Sequence, residues 1–210
     1  THAKNIMGNE LFAAIQVPER MTASLFGRLR GADAGDRVEM DEAVSMLRGM
    51  MAGQIKALDA FATSFANNAP VTGTATKVSD AGATISDFGD HLGVGGLMGR
   101  GLNLYGKAVT LPGRALMAED EFFKTQGYFM ELYAQASRRA SAARQAALDA
   151  GKTADEAREA ARATYLDVID NPPTDINAAS WDAAKYMTFT EELERGTVGR
   201  RFQDLAAENV

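Results

Sequence analysis

Between about residues 38 and 67, Val44, Leu47, Met51, Ile55, Leu58, Phe61, Ala62 and Phe65 recur at steps of three and four. That is the repeat of one face of an α-helix, and it predicts a long amphipathic helix carrying a single apolar stripe. The stripe has two readings. It faces the chain's own core or pairs with another helix, or it is a self-associating seam of the coiled-coil kind. Leu47, Met51, Ile55 and Leu58 are the candidates for helix pairing.

The same period continues along most of the chain. A helical stretch is expected over residues 5–30, interrupted at Val17 and Pro18, with Pro18 suited to the first turn of a new helix. Gly31 and Gly35 then mark a turn. Residues 69–83, rich in Thr, Gly and Ala, read as a loop. A further helix is expected from Glu119 to about Ala150, with Glu119, Asp120 and Glu121 as an acidic first turn that complements the helix dipole. Gly151 stops it. Thr153 and Glu156 have the spacing of a capping box, which starts a helix reaching about Asp170, where Asn171, Pro172 and Pro173 end it. Two helices joined by so short a loop predict an αα-hairpin. Short helices are expected at residues 180–186 and from Glu191 onward, the latter behind a second capping-box pattern at Thr188 and Glu191. Trp181 and Phe189 read as anchors of a small core. Alternating strand patterns are nearly absent, so the fold class is all-α: long amphipathic helices, a helical hairpin and a Gly-rich irregular segment. The chain divides into residues 1–70, 71–118, 119–171 and 172–210.

The irregular segment is residues 89–118. Gly93, Gly95, Gly96, Gly99, Gly101, Gly106 and Gly113 alternate with large apolar residues, and from His91 to Ala118 the only formal charges are Arg100, Lys107 and Arg114. A phosphate-binding glycine loop needs a preceding strand and a following Gly-Lys-Ser/Thr, and neither is present. Two readings remain. Small residues let helices pack closely, with a kink at Pro112, or an apolar, cationic segment partitions onto anionic lipid. Leu97, Met98, Arg100, Leu104, Tyr105, Lys107 and Arg114 are the candidates for membrane or partner contact.

Composition narrows the chemistry. The 210 residues are 46% hydrophobic and carry a net charge of −6. That balance does not suit a chain built around phosphate neutralisation. There is no Cys, and the two histidines, His2 and His91, sit in no ligand-spaced pair, so no catalytic, metal or cofactor residue is assigned. Neighbouring acids on a helix do not face each other, so residues 119–121 do not make a pair flanking one scissile bond. Arg138, Arg139, Arg144, Arg158 and Arg162 alternate with acids and read as a mixed-charge surface. The chain opens on Thr1 without a signal peptide, and is expected to begin inside a longer polypeptide.

Three stretches carry a resemblance. Thr1, His2, Asn5, Gly8 and Asn9 follow a THxxNxxGN phrase. Residues 111–124 follow PGRxLMxxDEFFK, the most specific of the three, and residues 184–193 follow xxTFTxxL. In order and spacing they resemble internal virion, or DNA-ejection, proteins of short-tailed bacteriophages and related very large polyvalent virion proteins. The resemblance implies a structural, non-enzymatic helical module without cofactor. It implies residence inside the capsid near the portal, then ejection ahead of the genome and assembly in the host envelope as a conduit for DNA. The partners implied are further copies of the chain, other ejection or portal–tail proteins, host membrane and passing DNA. Some of the giant relatives carry a transglycosylase or RNA polymerase elsewhere. A scaffold part of such an enzyme, or a portal or tail adaptor, is the alternative.

Overall fold

A computed structural model describes residues 18, 19, 22, 40–72, 90 and 92–188. The fold is all-α. Among the described residues, four long helices follow in order: α1 (Met40–Asn67), α2 (Gly96–Asp149), α3 (Ala154–Asp170) and α4 (Thr174–Met187). The 54-residue α2 is the axis on which α1, α3 and α4 each pack.

Helix α1 runs antiparallel to α2. Glu42 lies 3.5 Å from Arg138, Gln126 donates to Gln54 at 3.0 Å, and Arg114 donates to the Phe65 carbonyl at 3.0 Å. Asn68 ends α1 in a left-handed turn at φ 52, a conformation Asn tolerates, and Ala69 N–H reaches back to the Ser64 carbonyl. At the end of α2, Gly151 takes φ +77 and Lys152 N–H donates to the Ala147 carbonyl at 3.1 Å. The left-handed residue turns the chain so that α3 returns along α2. Tyr165 meets Tyr133 edge-on at 6.2 Å, and Val168 joins Leu132, Ala136 and Ile176 in one cluster. The Thr153–Glu156 capping box starts α3 with both reciprocal hydrogen bonds in place. Helix α4 begins at Thr174, six residues earlier than the sequence suggests. Trp181 stacks on Tyr128 at 4.4 Å, and α4 closes over Gly127, where a Cβ would lie 3.2 Å from Ala184 Cα. A second cluster joins Met46, Met130, Ala134 and Met187 from α1, α2 and α4.

Two expectations need correction. Residues 96–118 are not irregular: α2 is continuous from Gly96 through Pro112 to Asp149, and it crosses the expected division at 118/119. Proline inside a helix removes one backbone hydrogen bond, and here the exposed Pro112 is accommodated without ending α2. Glu119, Asp120 and Glu121 therefore do not open a helix. They lie within one, and Glu121 is fully buried. At the N-terminus, Pro18 and Glu19 are helical, and the Thr22 hydroxyl donates to the Pro18 carbonyl at 2.7 Å. The rest of the helix expected over 5–30, the first and third family phrases apart from residues 184–188, both histidines, Phe189 and the helix from Glu191 lie outside the described residues.

Candidate functional surfaces

The side of α1 that meets α2 is made of small residues. Gly49, Gly53, Ala57, Ala60 and Ser64 recur at steps of three and four, and all are buried, together with Ala43 and Met46. Small side chains let two backbones approach closely. A Cβ at Gly49 would stand 2.2 Å from the Phe129 carbonyl oxygen, and one at Gly53 would stand 2.7 Å from Phe129 Cβ. No residue larger than glycine fits either position unless the helices separate.

The apolar stripe lies on another side of α1. Val44, Leu47, Met51, Ile55 and Leu58 are all exposed, Met51 at 70% and Ile55 at 77%. The expectation that this stripe turns toward the chain's own core is thus corrected: the core-facing side is the glycine–alanine one. Phe61 and Phe65, at the far end of the stripe, are half-buried, and their rings stack at 6.2 Å.

Several polar contacts fix α1 and the chain that follows it. Arg114 on α2 donates to the Phe65 and Ala66 carbonyls, which α1 leaves unpaired at its C-terminus, and its guanidinium lies 5.0 Å from the Phe65 ring centroid. Glu121 accepts hydrogen bonds from the Val71 and Thr72 amides at 3.0 and 2.8 Å, and from the Thr72 hydroxyl at 3.1 Å. Its charge is held in turn by Lys124, itself wholly buried, which stands 2.9 Å from Asp120 and 3.6 Å from Glu121. A buried carboxylate needs such partners, because an uncompensated charge in the interior is costly. Among the candidates named from sequence, Arg114 is therefore a helix-capping residue.

The other candidates lie at the start of α2. α1 ends opposite Arg114, so residues 96–111 of α2 run past it. Leu97, Met98, Leu104 and Tyr105 are exposed there, Leu97 at 87%, with Arg100 exposed beside them; the Lys107 side chain lies outside the described residues. Gly99 is buried, and a Cβ on it would meet the Val94 carbonyl oxygen at 2.0 Å. No helix among the described residues is long and apolar enough to cross a membrane. Among the same residues no group of His, Asp and Glu is placed to hold a metal ion.

The two candidate sets are thus apart: the α1 stripe lies beside the packed body, and the Leu97–Tyr105 set lies beyond the end of α1. The small-residue side of α1 was missed from sequence although its periodicity is plain, because apolar period was sought among large side chains. The role of Glu121 leaves no local signal; it depends on residues some fifty positions away. Compared with protein-family models, curated proteins and solved structures, the chain matches none.

Proposed function

We propose that this chain is a structural helical segment of a phage internal virion, or ejection, protein. It self-associates through the α1 stripe and helps form a conduit for genome delivery across the host envelope. The observation that carries the reading is the stripe itself. Val44, Leu47, Met51, Ile55 and Leu58 stand exposed on a helix whose opposite side is locked to α2. A contiguous exposed apolar face on a well-held helix is the usual mark of an interaction surface. A partner helix of a second copy, presenting the same face, covers it by knobs-into-holes packing.

The start of α2 supplies the second contact. Its exposed Leu97, Met98, Leu104 and Tyr105 with Arg100 suit an interfacial position on an anionic membrane or a seat on a neighbouring virion protein. The family phrase at residues 111–124 supports a structural reading as well. Its Arg114, Glu121 and Lys124 all hold α1 and its following chain to α2. In this reading the module acts by assembly and not by chemistry, inside the virion and then in the host envelope.

Sedimentation or light scattering over a range of concentration tests the reading. Oligomers are expected that dissociate in the Met51→Ser/Ile55→Ser variant while helicity is kept. Flotation with anionic vesicles is expected to retain the chain and to lose it in Leu97→Ser/Leu104→Ser. A chain that stays monomeric at all concentrations and ignores vesicles and virion proteins would overturn the proposal. Cleavage of peptidoglycan by the chain would favour the enzyme-scaffold alternative.

A further inference from the structure

The arginines of the hairpin region read from sequence as one mixed-charge surface, but the fold sorts them. Arg138 pairs with Glu131 and Glu42, Arg139 with Asp175 at 2.7 Å, and Arg158 with Asp155. Arg144 and Arg162 make no ion pair among the described residues, and neither does Arg48 on α1. These three arginines come from three different helices, and all line a single groove of about 400 Å³ between α1, α2 and α3.

The rest of the groove agrees with an anionic occupant. Its walls carry one acid, Asp41, against the three arginines. Ser137 and Ser141 add hydroxyls from α2. Tyr165, which also lines the groove, has its hydroxyl buried with no hydrogen-bond partner among the described residues. A buried hydroxyl is a donor in need of an acceptor, and guanidinium groups are the side chains best shaped to grip oxyanions.

We infer that this groove is a binding site for a small, multiply charged phosphate compound of the diphosphate or triphosphate class. The volume lies in the range of small-molecule sites. The observations favour a compact ligand over a nucleic-acid strand. A single-strand site adds a row of aromatic residues for bases to stack on, and here the one lining aromatic, Tyr165, has its ring set edge-on against Tyr133. The overall charge of −6 also repels a long polyanion, while three local cations still hold a short one. Val44, at one end of the α1 stripe, also lines the groove, but Arg144 and Arg162 lie on α2 and α3, and Met51 and Ile55, which the assembly test alters, are not among the lining residues, so the two readings can fail separately.

Titration calorimetry of the 210-residue chain with inorganic pyrophosphate tests it. Saturable binding at one site per chain is expected, weakening as salt is raised. The Arg144→Gln/Arg162→Gln variant should bind about tenfold more weakly or worse, since each charge-assisted contact is worth more than a neutral one. Arg158→Gln, which removes an exposed arginine already paired elsewhere, should stay within about twofold of the parent chain. Both variants alter exposed positions and should keep the parent's helicity. Binding that never saturates, or that falls equally in Arg158→Gln, would overturn the site. So would an oligonucleotide or anionic vesicles that displace pyrophosphate through Arg144 and Arg162 at lower phosphate concentration, since the groove would then serve a polymer or a membrane.

Discussion

The two long sides of α1 invert the ordinary distribution of residues. Beyond Glu42 and Met46 at its start, the buried side is glycine, alanine and serine; the exposed side is valine, leucine, methionine and isoleucine. In a helix that only caps a core, the large apolar side chains go inside, because burying each contributes roughly 1.5–3 kcal/mol. Here the helix gains from closeness instead. Small residues bring the α1 backbone against Phe129 and Tyr133, and the bulk of the contact comes from the aromatic and methionine side chains of α2. Val44, Leu47, Met51, Ile55 and Leu58 are left on the outside. One side is shaped by its neighbour and tolerates no change in size, whereas the other meets no such constraint within the described fold.

That contrast, and the contacts that hold the helices around it, can be broken in four ways, from the greatest expected effect to the least. Lys124→Ala removes the cation beside Asp120 and Glu121, and with it the charge balance of the anchor for Val71 and Thr72. A loss of about 3–5 kcal/mol is expected in chemical denaturation. Gly49→Ala adds one methyl group where a carbonyl oxygen already stands, and should cost about 1–3 kcal/mol in the same measurement. Met51→Ser and Ile55→Ser on the opposite side should each change the stability of the isolated chain by no more than about 0.5 kcal/mol. If those two destabilise as much as Gly49→Ala, the exposed stripe is buried in solution and the contrast fails.

The smallest effect concerns α3. Glu156 has its pKa lowered, first by the hydrogen bond from the Thr153 backbone, then by that from its side chain. A lowered folded pKa means that the contribution is present above the ordinary glutamate range and is lost as pH falls through the folded value. Acid titration followed by NMR at Glu156 should show that lowered midpoint, and Thr153→Ala should bring it back toward the ordinary one.

How far the sequence foretells this depends on range. The α3 cap is readable because Thr153 and Glu156 are three residues apart and need nothing else. The span of α1 is readable for a similar reason, since periodicity is local. Which side of α1 is buried is not readable from the stripe, because hydrophobic period marks a face without saying what lies opposite it. Gly49, Gly53, Ala57, Ala60 and Ser64 carry the missing signal, and reading them as a close-packing face resolves it. Residues 96–121 misled through composition. Five glycines and Pro112 suggest a break, and three acids suggest a fresh helix start. The helix runs on through them all the same, with Arg114 tying its later turns to α1, and Lys124 makes the burial of Glu121 tolerable. The convergence of Arg48, Arg144 and Arg162 has no local trace, because two turns and three helices must be placed before they meet.

The unbroken length of α2 has a geometric consequence. At about 1.5 Å per residue, 54 residues extend roughly 80 Å, several times the width of the helices that flank them. The flanking helices hold α2 from Arg114 through the Leu132–Ala136 cluster to Arg139, and its opening turns lie past the end of α1. A body of that shape has reach. Its tip at Leu97 stands well along the axis from the α1 stripe, so what touches one of these surfaces need not touch the other.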